Sequence, residues 1–97
     1  MWIGWIELDL RLGDVHSLKT KRSIVRPIVS ELRRRFRVTA AETDHLDLYR
    51  RAGIGASVVA ADRAHVVEML DAIEQLVAYH PEVEVLAVRR HMVTADD

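Results

Sequence analysis

The order in which the hydrophobic period changes along the chain is the feature that most restricts its fold. Residues 2–12 alternate between apolar and other side chains, which is the two-residue period of a strand with one buried face. Residues 18–36 then have a helical period, residues 38–43 and 51–61 are strand-like, the residues between Asp62 and Pro81 are helical, and residues 83–93 are strand-like. Strand, helix, two strands, helix and strand is the ferredoxin-like βαββαβ order. The sequence therefore predicts an α+β fold with a four-stranded antiparallel sheet and two helices on one face.

Local signals mark where the predicted helices begin, bend and end. Ser17 and Asp62 are good N-caps, because their side-chain oxygens can accept a hydrogen bond from a free N–H group of the first turn. Pro81 stops the second helix. Pro27 lies inside the first helix, but a helical wheel places it nearly opposite the apolar stripe, so a bend there would face solvent.

The length of 97 residues predicts a single domain spanning residues 1–97, with residues 94–97 as a frayed tail. The absence of cysteine excludes disulfides and thiolate metal sites, and the first residues lack the basic region of a signal peptide. We therefore expect a cytoplasmic protein with no membrane partner. A chain of this size buries a modest core, so oligomerisation would be a common way to add stability.

One face of the predicted sheet has no helix to cover it. The alternation of the first strand puts Ile3 and Trp5 on that face. Because contiguous exposed apolar surface on a protein usually has a partner, we expect a homodimer or a higher homo-oligomer with these two residues at the interface. Ordinary scatter of apolar residues over the surface is the alternative.

The first predicted helix carries a run of cations in its first turns. The helix dipole already contributes about half a positive charge at that end, so cations there are unfavourable. A local cost without an evident structural gain indicates a function, and free N–H groups beside Lys and Arg suit a phosphate or carboxylate. The candidate anion- or RNA-binding residues are Ser17, Lys19, Lys21, Arg22, Arg26 and Arg33. Alternatively, their stems cover apolar surface while their charged ends stay in water, with or without acidic partners.

No arrangement of residues in the sequence indicates an enzyme. Glu7 and Asp9 share one face of the first strand, and paired carboxylates can transfer protons or bind a divalent metal. Pairing with Arg11, Arg89 or Arg90 is the favoured interpretation. The five histidines lack the spacing of metal ligands. We therefore expect no catalytic residues, no metal and no cofactor.

Several segments, taken in order, resemble the YlxP-like family of small bacterial proteins, a domain family of unknown function. The segments are Trp2-Ile3-Gly4, Ser17-Leu18-Lys19-Thr20-Lys21-Arg22, and residues 36–42, 47–55 and 62–65. The resemblance implies a ferredoxin-like fold and a cytoplasmic protein, with no established enzyme activity. It also implies a ribosomal or RNA context, because the family's genes often lie among those for translation initiation and ribosome maturation. Arg37 and Tyr49 depart from the family, which often has asparagine and tryptophan there.

Two hypotheses about function remain open at this point. The first is a non-enzymatic binding protein, an RNA- or ribosome-associated accessory factor that contacts phosphate through the basic flank of the first helix. Its partner would be RNA or a ribosomal subunit. The second is a self-associating structural or protein-interaction module with no nucleic-acid role.

Overall fold

The computed structural model describes residues 1–94 and confirms the predicted order of elements. The elements are β1 (Trp2–Leu12), α1 (Leu18–Phe36), β2 (Thr39–Asp44), β3 (Arg51–Ala60), α2 (Arg63–Ala78) and β4 (Val83–Thr94). Thr94 closes β4 and so is not part of a frayed tail; the rest of the predicted tail, residues 95–97, lies outside the described residues.

The four strands form one antiparallel sheet in the order β2-β3-β1-β4. β1 lies between β3 and β4 and pairs with both, whereas β2 pairs with β3 alone. This is the strand order of the ferredoxin-like fold, so the predicted fold class is confirmed. The sheet leaves β2 and β4 as its two edges.

The core lies between one face of the sheet and the two helices. The side chains of Ile6, Leu8, Leu10 and Leu12 in β1 point towards the helices and are fully buried, as the alternation predicts, while Trp2 on the same face is partly buried. The largest fully buried aliphatic residues are Ile6, Leu8, Leu10, Leu12, Ile28, Leu32, Ile54, Leu70 and Ile73. Burying each side chain of this size contributes roughly 1.5–3 kcal/mol, so this layer supplies most of the drive to fold.

Both predicted N-caps form in the structure. Ser17 Oγ accepts a hydrogen bond from the N–H of Thr20 at 3.1 Å, and Asp62 Oδ1 accepts one from the N–H of His65 at 2.8 Å. Arg37 ends α1 in the left-handed conformation, with φ of 53°. These caps fix where each helix starts on the sheet.

Gly4 lies where α2 packs closely against β1. A Cβ atom at this position would overlap the side chain of Val66 in α2. Glycine therefore lets the second helix lie directly on the central strand.

Candidate nucleic-acid interface

Four exposed cations follow one side of α1, and we call them the basic flank: Lys19, Arg22, Arg26 and Arg33. At about 100° per residue they fall within about 60° of one another, next to the apolar stripe. No acidic residue lies in the first turn of the helix. The structure therefore brings together four of the six predicted binding residues on one surface.

Arg33 shows which way the basic flank points. Its Nε donates a hydrogen bond to the carbonyl oxygen of Ala40 in β2 at 2.8 Å. The flank therefore lies on the β2 side of α1, away from α2. Because β2 is an edge strand, nothing in the sheet lies beyond this flank.

The other three cations of the basic flank have no acidic partner. Within residues 1–94, Lys19, Arg22 and Arg26 form no ion pair. By contrast, Arg35 lies on another side of the helix, with its NH1 atom 3.8 Å from Glu31 Oε1. Neutralisation by acids therefore does not hold for these three cations, while their exposure agrees both with an anionic partner and with charged ends that stay in water.

Lys21 is a correction to the predicted binding set. Only 1% of its surface is exposed, and its Nζ donates to the carbonyl oxygen of His45 at 2.6 Å and lies 2.9 Å from Glu42 Oε2. A buried and paired ammonium group cannot reach a phosphate outside the protein. The helical wheel explains the position, because Lys21 belongs to the same stripe as the buried Ile24 and Ile28.

Ser17 is engaged in the helix cap rather than free for a ligand. Besides accepting from the backbone of Thr20, its hydroxyl group donates to Thr20 Oγ1 at 3.0 Å. The role of this residue is therefore to start α1 at the place where the basic flank begins.

An exposed apolar turn, residues 45–50, lies beside the first turns of α1 and was not predicted as a functional feature. Leu46, Leu48 and Tyr49 are 59%, 48% and 49% exposed. Lys21 binds the carbonyl oxygen of His45 at one end, and Arg50 Nε donates to the carbonyl oxygen of Gly13 at 2.6 Å at the other. The turn is thus held to the body of the protein while its apolar side chains project. In the sequence, the signal for this apolar turn was the presence of three large apolar residues in a short, otherwise polar connection.

The carboxylates on the open face of the sheet are occupied by partners. Glu7 accepts hydrogen bonds from Thr43 and Arg89, which lower the pKa of its carboxyl group. Asp9 accepts from Arg51 at 2.6 Å, and this bond lowers the pKa of Asp9. Pairing of Glu7 with Arg89 agrees with the prediction, whereas the partner of Asp9 is Arg51 rather than a residue named beforehand. Both groups are held in their ionised form.

A cavity of about 120 Å³ lies between these ion pairs. Its ionisable lining residues, Glu7, Asp9, Asp44, His45 and Arg89, already contact one another or their neighbours. Within residues 1–94, no group of three or more His, Asp or Glu side chains is placed to hold a metal ion. The described helices include none with the length and apolar character to cross a membrane.

The predicted interface residues lie on the open face of the sheet. Trp5 is exposed and its ring lies 6.0 Å from the ring of His91 on β4, while Ile3 is half-buried between Val59 and Val93 in the strand register. A shallow groove of about 430 Å³ runs beside Trp5. The interface itself stays a prediction.

Comparison with known proteins gives a family without a known activity. The family model described as "protein of unknown function (DUF503)" matches residues 3–90. "Uncharacterized protein YlxP" of Bacillus subtilis (strain 168) is 27% identical over 82 residues, which are 84% of this chain and 89% of that protein. A mutant of SnoaB, a cofactor-independent oxygenase from Streptomyces nogalater, has a TM-score of 0.46 and 8% identity, over 99% of this chain and 94% of that one. A likeness at that level carries no argument about function.

Proposed function

We propose that this chain, which belongs to the DUF503 family of proteins of unknown function, is a non-enzymatic RNA-binding protein that contacts phosphates through its basic flank. One observation carries the proposal: Lys19, Arg22 and Arg26 are exposed and form no ion pair within residues 1–94. Arg11 and Arg51 on the sheet have acidic partners. Arg34, Arg37 and Arg63 form no ion pair within the described residues either, so the distinction of the flank is that its cations lie in one row.

The position of these cations favours an anionic partner over a purely structural role. At the start of a helix the free N–H groups and the dipole already favour negative charge, and Lys19 adds to that positive potential. A bound phosphate would turn an unfavourable placement of cations into a favourable one.

The shape of the flank favours a chain of phosphates over a single small anion. Lys19 and Arg33 are 14 positions apart in α1, which corresponds to about 21 Å along the helix axis. One small anion can contact only part of such a row, whereas a nucleic-acid backbone presents phosphates along its whole length.

The apolar turn gives a reason to prefer RNA with unpaired bases. Tyr49 is exposed on a turn that Lys21 ties to the first turns of α1. Unstacked bases of RNA loops bind to exposed aromatic rings, while their phosphates meet nearby cations. Ribosomal RNA is the first RNA to test, because the YlxP-like resemblance implies a ribosomal context.

The two carboxylates on the open face of the sheet support a non-enzymatic function. General acid–base catalysis is most efficient when the pKa of the catalytic group lies near the working pH. The ion pairs of Glu7 and Asp9 lower their pKa values and so keep both carboxylates ionised near neutral pH.

The test compares two double variants with equal loss of charge. Arg22→Gln with Arg26→Gln removes two cations of the basic flank, and Arg34→Gln with Arg63→Gln removes two exposed cations elsewhere. Binding to fluorescent ribosomal RNA fragments and to purified ribosomal subunits would be measured between about 50 and 200 mM salt. We expect the first variant to bind RNA at least about tenfold more weakly. The slope of log affinity against log salt concentration should become shallower by about 1.4, because each of the two lost phosphate contacts accounts for about 0.7.

The control variant should lose less than about twofold. Equal losses in the two variants would show a non-specific charge effect and contradict the proposal. Failure of the wild-type protein to bind any of these RNAs at about 50 mM salt would also contradict it. Circular dichroism spectra would establish that both variants keep the fold.

A further inference from the structure

The edge strand β4 is incompletely covered in a single chain. It is the longest strand, with 12 residues, and none of its residues is buried, although β1 pairs along its whole length. Val83, Val85, Val88 and Met92 pack against the core on one side only and are half-buried. These four residues belong to the apolar layer, but that layer ends at them.

The opposite edge of the sheet is protected. β2 has six residues, α1 packs over it, and Arg33 of the basic flank binds the carbonyl oxygen of Ala40. Proteins keep edge strands from pairing by making them short or by covering them. β2 meets both conditions. β4 meets neither, although its pairing with β1 is irregular at Leu86 and it carries charged residues, both of which also discourage edge pairing.

The backbone of β4 has unused hydrogen-bonding groups on its outer side. From Glu84 to Val93, the described chain gives this backbone no partner outside the pairing with β1. Such a row of free N–H and C=O groups fits another β-strand, because a strand satisfies all of them at once. The missing cover is therefore a strand rather than a helix or a small ligand.

The order of charges along β4 favours a second copy of the same strand. Glu84 is its second residue, Glu82 precedes the strand, and Arg89 and Arg90 lie in its second half. In an antiparallel pair the acidic end of one copy meets the basic half of the other, whereas parallel pairing would put like charges together. We propose that two copies of this chain pair their β4 edges antiparallel about a two-fold axis, forming one eight-stranded sheet.

Internal ion pairs lower the cost of bringing the charged residues near β4 into this contact. Glu84 already pairs with Arg11 at 2.6 Å, and Arg90 pairs with Asp71 at 2.7 Å. Their charges are therefore partly neutralised, so the order of charges favours the antiparallel direction while backbone hydrogen bonds hold the two strands together. A two-fold interface is also the commonest symmetry of protein oligomers.

The proposed dimer places the two basic flanks far apart. β2 of one copy and β2 of the other would be separated by seven strand spacings, which is about 34 Å at about 4.8 Å each. This distance distinguishes edge pairing from packing of the open faces through Trp5.

Spin labels test this arrangement directly, since the chain contains no cysteine that would react elsewhere. Ala87→Cys places a label on β4 and Thr39→Cys places one on β2, both at exposed positions. Distances between the two labels of each dimer would be measured by double electron–electron resonance. We expect a short distance for Ala87→Cys, under about 20 Å. The distance for Thr39→Cys should be at least the roughly 34 Å estimated from strand spacing, because Thr39 lies level with His91 and so away from the middle of β4.

A longer distance for Ala87→Cys than for Thr39→Cys would overturn the proposal, as would a monomer at about 100 µM by sedimentation equilibrium. Two substitutions give a second measurement. Val88→Lys puts a charge on the β4 edge and should weaken the dimer by at least about tenfold, whereas Trp5→Lys on the open face should leave it unchanged. The reverse pattern would place the interface on the open face and contradict edge pairing.

Discussion

The open face of the sheet and the basic flank of α1 both carry cations. Those on the sheet face pair with acids, whereas those on the flank do not within the described residues. On the sheet, the cross-strand register sets Glu7 opposite Arg89 and Arg11 opposite Glu84, and both pairs form. On the flank, Lys19 has no acid within reach in residues 1–94. Charges on the sheet are therefore paired within the fold, whereas those on the flank are the ones we propose to contact RNA. Stability should depend on the first set and RNA binding on the second.

The largest effect is expected at Lys21. This residue belongs to the cationic run of α1, but unlike the flank it is buried and paired. Lys21→Met would leave Glu42 without its partner and release the carbonyl oxygen of His45. Removing one member of a buried ion pair costs about 3–5 kcal/mol. Since the side chain of Glu42 is 20% exposed, we expect a loss of about 3 kcal/mol in the free energy of unfolding, measured with urea.

The neighbouring Arg22→Met is the matched control, because it removes a cation from the same helix at an exposed position. It should change the free energy of unfolding by less than about 0.5 kcal/mol. Equal effects at the two positions would show that the Lys21 ion pair does not hold β2 to α1.

Lys21 also shows how far sequence alone could lead. The strands and helices follow from local periodicity, and the basic flank follows from spacing along one helix. The partners of Lys21, however, lie on β2 and in the turn after it, and only the folded chain brings them to the first turns of α1. Its place on the apolar stripe was visible on a helical wheel. Wheel position could therefore have excluded it from the flank, but could not have named Glu42.

The same limit explains the partner of Asp9 and the apolar turn. Arg51 lies diagonally across from Asp9 on β3, so their contact depends on the strand register, which sequence spacing does not determine. The exposure of Leu46, Leu48 and Tyr49 depends on where the turn is tied to the body of the protein.

A smaller effect is expected from the ion pairs of the open sheet face, and it depends on pH. The hydrogen bond from Arg51 lowers the pKa of Asp9, and Thr43 and Arg89 lower that of Glu7. A carboxyl group with a lowered pKa in the folded state stabilises the fold above its unfolded pKa. That contribution is lost as the pH falls through the folded value, so the free energy of unfolding should decrease below about pH 5.

Asp9→Asn should flatten this acid-side decrease, because the amide cannot take up a proton there. Urea unfolding at intervals between about pH 3 and 7 measures both profiles. The double variant Arg22→Gln with Arg26→Gln should keep the wild-type profile, because it touches no group of the open face. If Asp9→Asn and the wild type gave parallel profiles, the ion pair with Arg51 would not contribute to the pH dependence.

The smallest expected effect, at Lys19, best distinguishes cations that serve binding from charges that stabilise the fold. Lys19 is the second residue of α1, where the helix dipole opposes a cation and favours an acid. Lys19→Glu should therefore raise the free energy of unfolding by about 0.5 kcal/mol at low salt, while RNA affinity falls. Lys19→Gln should give an intermediate change in both quantities. A loss of stability in either variant would mean that Lys19 serves folding, and the flank would then resemble the open sheet face. A rise in the free energy of unfolding together with a fall in RNA affinity would show that Lys19 serves binding although it destabilises the fold.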